Sequence, residues 1–364
     1  MKLSQIGELT LLDQIRKRFK KKSNNIIVGI GDDASVLRPI NRNIIVTTDM
    51  MVEAVHFDLS FTTPYQLGFK LISVNVSDVY AMGGKPLYLL LNIAVKKNTE
   101  KKFIDKLFDG IEDAINLYDT ILIGGDLSAT KSAMALSATV IGCLKKHIQR
   151  SGANAGDRIY VTGYLGDSAC GLELMKRIKR PVPLKRKCSA FSVQRSIPPH
   201  PPLGKGGNRG GLNSNFQTLK SELLKLGLSW NTVEPLLRRH LLPEARDSKK
   251  FARYATSMID ISDGLLIDLS RLCSESRVGA RIYIDNIPLS PELKKAAVYL
   301  DILPLKLALS GGEDYEMLFT APAGNKVRAI YIGEIIKSGR FIVDSSGREK
   351  PFLAKGYQHF CNKK

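Results

Sequence analysis

Apolar and polar residues follow two rhythms along this chain, and the rhythm changes where glycine, proline or aspartate interrupts. Leu9, Leu12, Ile15 and Phe19 recur at helical spacing and predict an amphipathic helix near the N-terminus. The run "IIVGIGDDASVL" (26–37) reads as a buried strand that breaks on glycine into two adjacent aspartates. "NIIVTTDMMVEAVHF" predicts a strand ending near Thr47 to Asp49. "TPYQLGFKLISVNVSDVYAMGG" predicts a helix, with Thr63 as N-cap, Pro64 in the first turn and Gly83-Gly84 as the stop. A strand, a helix and two strands follow in "PLYLLLNIAV", "KKFIDKLFDGIEDAINLY", "TILIGG" and "MALSATVIGCL". The Gly-rich "RSGANAGDRIYVTG" then opens a new segment, which sets a boundary near residue 150. Beyond it come a helix in "GDSACGLELMKRI", a strand, turn and helix in "SMIDISDGLLIDLSRLC", and a strand-like run closing "ALSGGEDYEMLFTA". The pattern is α/β (α+β) with two domains, 1–150 and 151–364, and no repeat of solenoid period.

Charge changes this picture in one place. The 364 residues carry a formal net charge of +19. Eleven Lys or Arg residues and no Asp or Glu lie within the 48 residues 174–221, so more than half of the excess sits in one segment. That segment contains "SIPPHPPLGKGGNRGG", too poor in apolar residues to fold alone, and it predicts a basic Pro/Gly-rich insertion at about 181–222. The stretch is almost without aromatics to stack on bases, so nucleic acid is not the expected partner. Five cysteines are scattered without CxxC spacing and read as free thiols. No apolar run is long enough to span a bilayer and no secretory leader is apparent, so the expected location is the cytoplasm.

The chemistry lies in a recurring unit. An apolar run gives way to small residues and an aspartate at "GIGDD" (Asp32, Asp33), "VTTD" (Asp49), "LIGGD" (Asp126) and "IDISDG" (Asp260, Asp263). One such aspartate is a turn or a cap; several converging at sheet ends require a cation. Asp78 continues the helical stripe of Leu67, Leu71 and Val74, and a carboxylate on an apolar stripe needs a positive partner. Asn75 lies one turn earlier. Many carboxylates with few histidines point to a hard cation, and Mg2+ is the usual choice where phosphates share its shell. Glycines beside the acids let backbone N–H groups approach phosphate oxygens. No Walker A loop is present: Gly204-Lys205 is followed by Gly206 and has Pro199 where the first loop glycine belongs, and the other Gly-Lys pair, Gly84-Lys85, is followed by Pro86.

Taken together, "GIGDDASVL", "TTDMMVEAVHF", "NVSDVYAMGG", "LIGGD", "RSGANAGDRIYVTGYLGDSACGLELM", "IDISDGLLIDL", "LSGGEDYEMLFT" and "KGYQHF" resemble the thiamine-monophosphate kinase family of the AIR-synthetase-like superfamily. The resemblance implies ATP-dependent phosphorylation of thiamine monophosphate to thiamine diphosphate, by direct in-line transfer with several Mg2+ ions. The acceptor is already an ionised phosphate, so no dedicated general base is expected. By the same resemblance Asp33, Thr47, Thr48, Asp49, Asp78, Asp126, Asp260 and Asp263 are Mg2+ ligands. Gly125, Asp126, Arg150 and Ser262 are ATP contacts, and His56, Glu313 and Tyr357 are substrate contacts. It also implies a homodimer in which the N-terminal sheets pair, with the cleft between domains. Neighbours on an extended chain point to opposite faces, and the resemblance favours Asp33 over Asp32 as the ligand. The basic insertion is not part of the family pattern. Two rivals are another ATP-using enzyme of the superfamily and a basic nucleic-acid-binding protein. A selenophosphate-synthetase type would carry a reactive cysteine in an N-terminal loop, and no cysteine precedes Cys143.

Overall fold

The computed structural model describes residues 1–20, 23–31, 34–186, 219–221, 223–224, 227–354 and 356–357. Asp32, Asp33 and most of the basic stretch lie outside them. The N-terminal half builds a four-stranded sheet in the order β3-β6-β4-β5, from β3 (Asn43–Val52), β4 (Lys85–Lys96), β5 (Ile121–Thr130) and β6 (Ala135–Leu144). Only β4 and β5 run parallel. Two 18-residue helices, α3 (Pro64–Ala81) and α4 (Lys101–Tyr118), cover one face of it. The short helices α1 (Leu3–Ile6) and α2 (Glu8–Arg18) precede it, with β1 (Ile26–Val28) and β2 (Val36–Leu37) as a separate antiparallel pair.

The C-terminal half builds a seven-stranded sheet in the order β13-β12-β9-β11-β7-β10-β8. Its strands are β7 (Asp157–Val161), β8 (Ser257–Asp260), β9 (Gly279–Tyr283), β10 (Met317–Pro322), β11 (Ile330–Ile336), β12 (Arg340–Val343) and β13 (Glu349–Pro351). Around it stand α5 (Asp167–Ile178), α6 (Trp230–Leu241), α7 (Leu265–Ser276), α8 (Pro291–Leu300) and α9 (Pro304–Ser310). The core does not stop at residue 150. One apolar cluster joins Leu71, Phe69 and Leu107 of the N-terminal helices to Leu174, Leu236 and Leu293 of α5, α6 and α8.

α3 begins as its sequence dictates. Thr63 accepts from the Gln66 N–H while the Gln66 side chain returns to the Thr63 N–H, a capping box with proline following the cap. The expected single apolar stripe is incomplete, because nearly the whole helix is buried. α3 is wedged between the N-terminal sheet and the C-terminal half, so polar residues such as Gln66, Lys70, Ser73, Asn75 and Ser77 are also buried and must find partners.

Several boundaries differ from the sequence reading. The N-terminal helix turns Leu11 and Phe19 inward and leaves Leu9 exposed, so its buried stripe runs at i, i+4 and i+8 through Ile15. The 26–37 run is a short strand pair with Ile27 and Val36 exposed, not a buried strand. β3 and β5 both continue through their Thr-Asp and Gly-Asp motifs, so Thr47, Asp49 and Asp126 lie within strands and not at their ends. Both flanks of the expected insertion pack inward: Val182, Leu184, Leu219 and Leu223 are buried, and Gln66 Nε2 donates to the Val182 carbonyl at 2.6 Å.

Candidate active site between α3, β3 and the β8–α7 turn

β3 and α3 meet along the covered face of the N-terminal sheet. Thr47 Oγ1 donates to Asp78 Oδ2 at 2.6 Å, and the Asp49 N–H donates to Asn75 Oδ1 at 2.9 Å. Asn75 is held in turn, its Nδ2 donating to the Leu71 carbonyl at 2.8 Å. From the opposite side of α3, Ser77 Oγ donates to Asp260 Oδ2 at 2.6 Å, at the end of β8. The chain then turns through Ser262 and Asp263 into α7, and Asp268 of that helix accepts the Asp263 and Gly264 N–H groups just ahead of it. Arg271 bridges Asp263 at 2.6 Å and Asp268 at 2.7 Å.

Electrostatics show that these carboxylates share one field. Burial, then the nearby Asp78 charge, pushes Asp260 up to about 8. Asp78 is raised by burial, against which the Thr47 hydrogen bond and the Arg150 charge pull it down. Asp49 rises to about 6 through withdrawal from water, then repulsion from Asp78 and Asp263. Carboxylates that hold one another's protons on are a site short of positive charge. Among the described residues, no three His, Cys, Asp or Glu side chains converge tightly enough to hold a metal alone.

The "GGEDYE" motif divides its acids among three tasks. Glu313 sits at φ 65° with its N–H on the Ser262 carbonyl at 2.7 Å, so a left-handed, non-glycine residue is pinned against the β8–α7 turn. Gly312 is required there, because a Cβ would lie 2.5 Å from the same carbonyl oxygen. Glu313 Oε1 meets Lys70 Nζ at 2.7 Å and Oε2 meets His240 Nδ1 at 3.1 Å. Asp314 accepts from the Gly166 and Ser168 N–H groups at the start of α5. Glu316, fully buried, is clasped by Arg239, Arg246 and the Thr162 hydroxyl.

The other expected site residues separate. Arg150 is exposed and its carbonyl accepts from Ser276, yet its charge reaches Asp78. The Tyr357 N–H donates to the Asp263 carbonyl at 3.0 Å, which brings the C-terminal segment to the same turn. His56 lies in the turn after β3, accepting the Val52 N–H at Nδ1 at 3.0 Å. Thr48 points away from the cluster: its Oγ1 donates to the Ala138 carbonyl and accepts from Thr139. Gly125 and Asp126 are on β5, at the other edge of the sheet. Partners across a sheet share a face, and the row Met50, Ser137, Asn92, Asp126 puts Asp126 on the open face, opposite to Asp49. Three strand spacings, roughly 14 Å, separate the two edges. Within one chain the structure does not bring Asp126 to Asp49, Asp78 and Asp260. Ser35, two residues after Asp33, donates to the Ile123 carbonyl on the same far edge.

Residues 31–144 match the AIR synthase related protein, N-terminal domain, and residues 204–344 the corresponding C-terminal domain. The thiamine-monophosphate kinase of Aquifex aeolicus is 30% identical over 99% of this chain and 100% of its own length. The chain belongs to the thiamine-monophosphate kinase family. Within that family the enzyme of Methanocaldococcus jannaschii is 32% identical over 97% of this chain and 99% of its own. A solved structure of AaThiL complexed with AMPPCP and TMP superposes with a TM-score of 0.69 at 31% identity, covering 99% of each chain. The hydrogenase maturation protein HypE in complex with ATP shares the fold, with a TM-score of 0.63 at 13% identity over 99% of this chain and 98% of its own.

Sequence reasoning did not single out Lys70, His240, Arg239 or Arg246. A lysine in a nearly all-buried helix was the available signal for the first. The partners of the others come from elements far apart in the chain and had none.

Proposed function

We propose that this chain transfers the γ-phosphate of ATP onto thiamine monophosphate, forming thiamine diphosphate and ADP. The observation that carries the reading is the full-length likeness to AaThiL complexed with AMPPCP, an ATP analogue, and TMP. The chain's own chemistry agrees. Asp49, Asp78 and Asp260, with Thr47 and Asp263 beside them, are the residues that would hold Mg2+. When bound there, Mg2+ would neutralise phosphate oxygens and the charge that develops on the transferred group. Arg150 and the Ser262 turn border the cluster and suit a polyphosphate. Glu313 and Tyr357 flank the same turn from either side, where an acceptor substrate would enter. His56 is a further acceptor-side contact by the family resemblance. No helix among the described residues is long and apolar enough to cross a membrane.

The remaining ATP contacts, Gly125 and Asp126, are reconciled by a homodimer. Ile44, Val46 and Met50 are 58–63% exposed along the open face of β3, an apolar stripe that favours a second copy of the sheet. Closing the two sheets on each other with the β5 edge of one copy beside the β3 edge of the other would let Asp126 of one copy complete the cluster of the other. The basic assay is ATP, thiamine monophosphate and Mg2+, scored for thiamine diphosphate; no product from folded protein refutes the reaction. The shared site is tested by mixing Asp126→Asn with Asp78→Asn, each inactive alone. Unfolding and refolding them together should recover roughly a quarter of wild-type activity through mixed dimers with one intact site. No recovery places every ligand within one chain.

A further inference from the structure

Lys70 is buried in the middle of α3, its side chain 6% exposed, and its ammonium meets Glu313 at 2.7 Å. His240, 7% exposed on α6, closes on the other carboxylate oxygen and also lies 3.3 Å from Ser168 Oγ. Glu313 itself is 30% exposed, and its N–H donates to the Ser262 carbonyl, so this partly accessible carboxylate stands beside the Ser262–Asp263 turn. Lys70 and Ser77 are seven residues apart on one stripe of α3, and they hold Glu313 and Asp260 respectively. The same helix face therefore fixes the proposed acceptor contact and a proposed metal ligand at a set separation, about 10 Å along the helix.

For stability alone, an apolar side chain in place of a buried lysine is the cheaper solution. Orientation is what the charged pair supplies. Both carboxylate oxygens are tied, one by the Lys70 ammonium and one by the His240 imidazole, whose hold on a proton burial and the Lys70 charge weaken. With one lone pair on each oxygen used, each oxygen keeps another to accept a donor. An anionic phosphate would be repelled there, whereas a ring amine or a ring cation would be received.

We infer that Lys70 and His240 are positioning residues that aim Glu313 at the organic part of the acceptor, its aminopyrimidine or its thiazolium, and not at its phosphate. The inference rests on the proposed kinase reading. The ionic cost of burying Lys70 is then tied to substrate selection, from a helix that belongs to the other half of the chain.

The test uses the full-length protein with ATP and thiamine monophosphate. Lys70→Met should raise KM for thiamine monophosphate roughly tenfold or more, with KM for ATP within about twofold. Lys70→Arg should restore much of the loss. Unphosphorylated thiamine as a competitive inhibitor should weaken by the same factor as the substrate, and inorganic phosphate should not. In Glu313→Gln, adding Lys70→Met should change little further. Equal rises in both KM values, weakening of phosphate but not thiamine, or multiplying effects in the double variant overturn the inference. Should Lys70→Met not fold, His240→Gln and Lys70→Arg are judged on the same thiamine-against-phosphate comparison. Absence of any turnover by the wild type would instead refute the kinase reading itself.

Discussion

Asp260→Asn separates what the site does for catalysis from what it costs the fold. Asp260 is 3% exposed, and burial with Asp78 nearby pushes it up to about 8, against about 4 for an exposed aspartate. The folded form therefore holds a proton that the unfolded chain releases. Stability from this group is fully present below about pH 4 and is lost as the pH rises to about 8. At ~1.4 kcal/mol per pH unit, full ionisation costs the metal-free fold roughly 5 kcal/mol. Asparagine keeps the oxygen that accepts from Ser77 at 2.6 Å and cannot ionise. Part of the gain is lost to burying an amide, so a net stabilisation of about 2 to 3 kcal/mol at pH 8 is expected. At roughly 2 °C per kcal/mol for a protein of this size, Tm without Mg2+ should rise by about 5 °C at pH 8 and hardly at all at pH 5. Thermal melts at both pH values, with and without Mg2+ and an ATP analogue, measure this directly. The wild type should gain Tm from Mg2+ at pH 8, and the variant should lose that response together with its turnover. A variant equally destabilised at both pH values, or one that still responds fully to Mg2+, would refute the reasoning.

Gly125→Ala should prevent β4 and β5 from pairing: φ is 148° and a Cβ would sit 1.8 Å from the Leu91 carbonyl oxygen. A loss of about 3 kcal/mol or more in urea unfolding is expected; a neutral result would mean that the strand register is wrong. Glu316→Gln leaves the mostly buried Arg239 without its carboxylate partner, while the half-exposed Arg246 stays solvated, and should cost about 2 kcal/mol. The arginines hold Glu316 below the ordinary glutamate range despite its burial, so the wild type loses this contribution as the pH falls below about 4. The Gln variant should show that much less acid sensitivity in its melting curves.

The sequence by itself determined the fold class and most of the elements up to the β8–α7 unit, because periodicity, caps and glycine breaks are local. Thr63, Gln66 and Pro64 start α3 with no help from the rest of the chain. The aspartate motifs point to a cation and to phosphate chemistry from local sequence alone. The tertiary structure decided which aspartates share a field. A period-two strand fixes that Thr48 and Asp49 diverge, but only the strand order β3-β6-β4-β5 puts Asp126 on the opposite edge and face from Asp49. Only the wedging of α3 between the sheets explains why a lysine and a serine seven residues apart meet Glu313 and Asp260, residues far away in sequence. Hydrogen bonds within a turn are written in neighbouring residues; ion pairs across 243 residues, such as Lys70 with Glu313, depend on packing that no local pattern records.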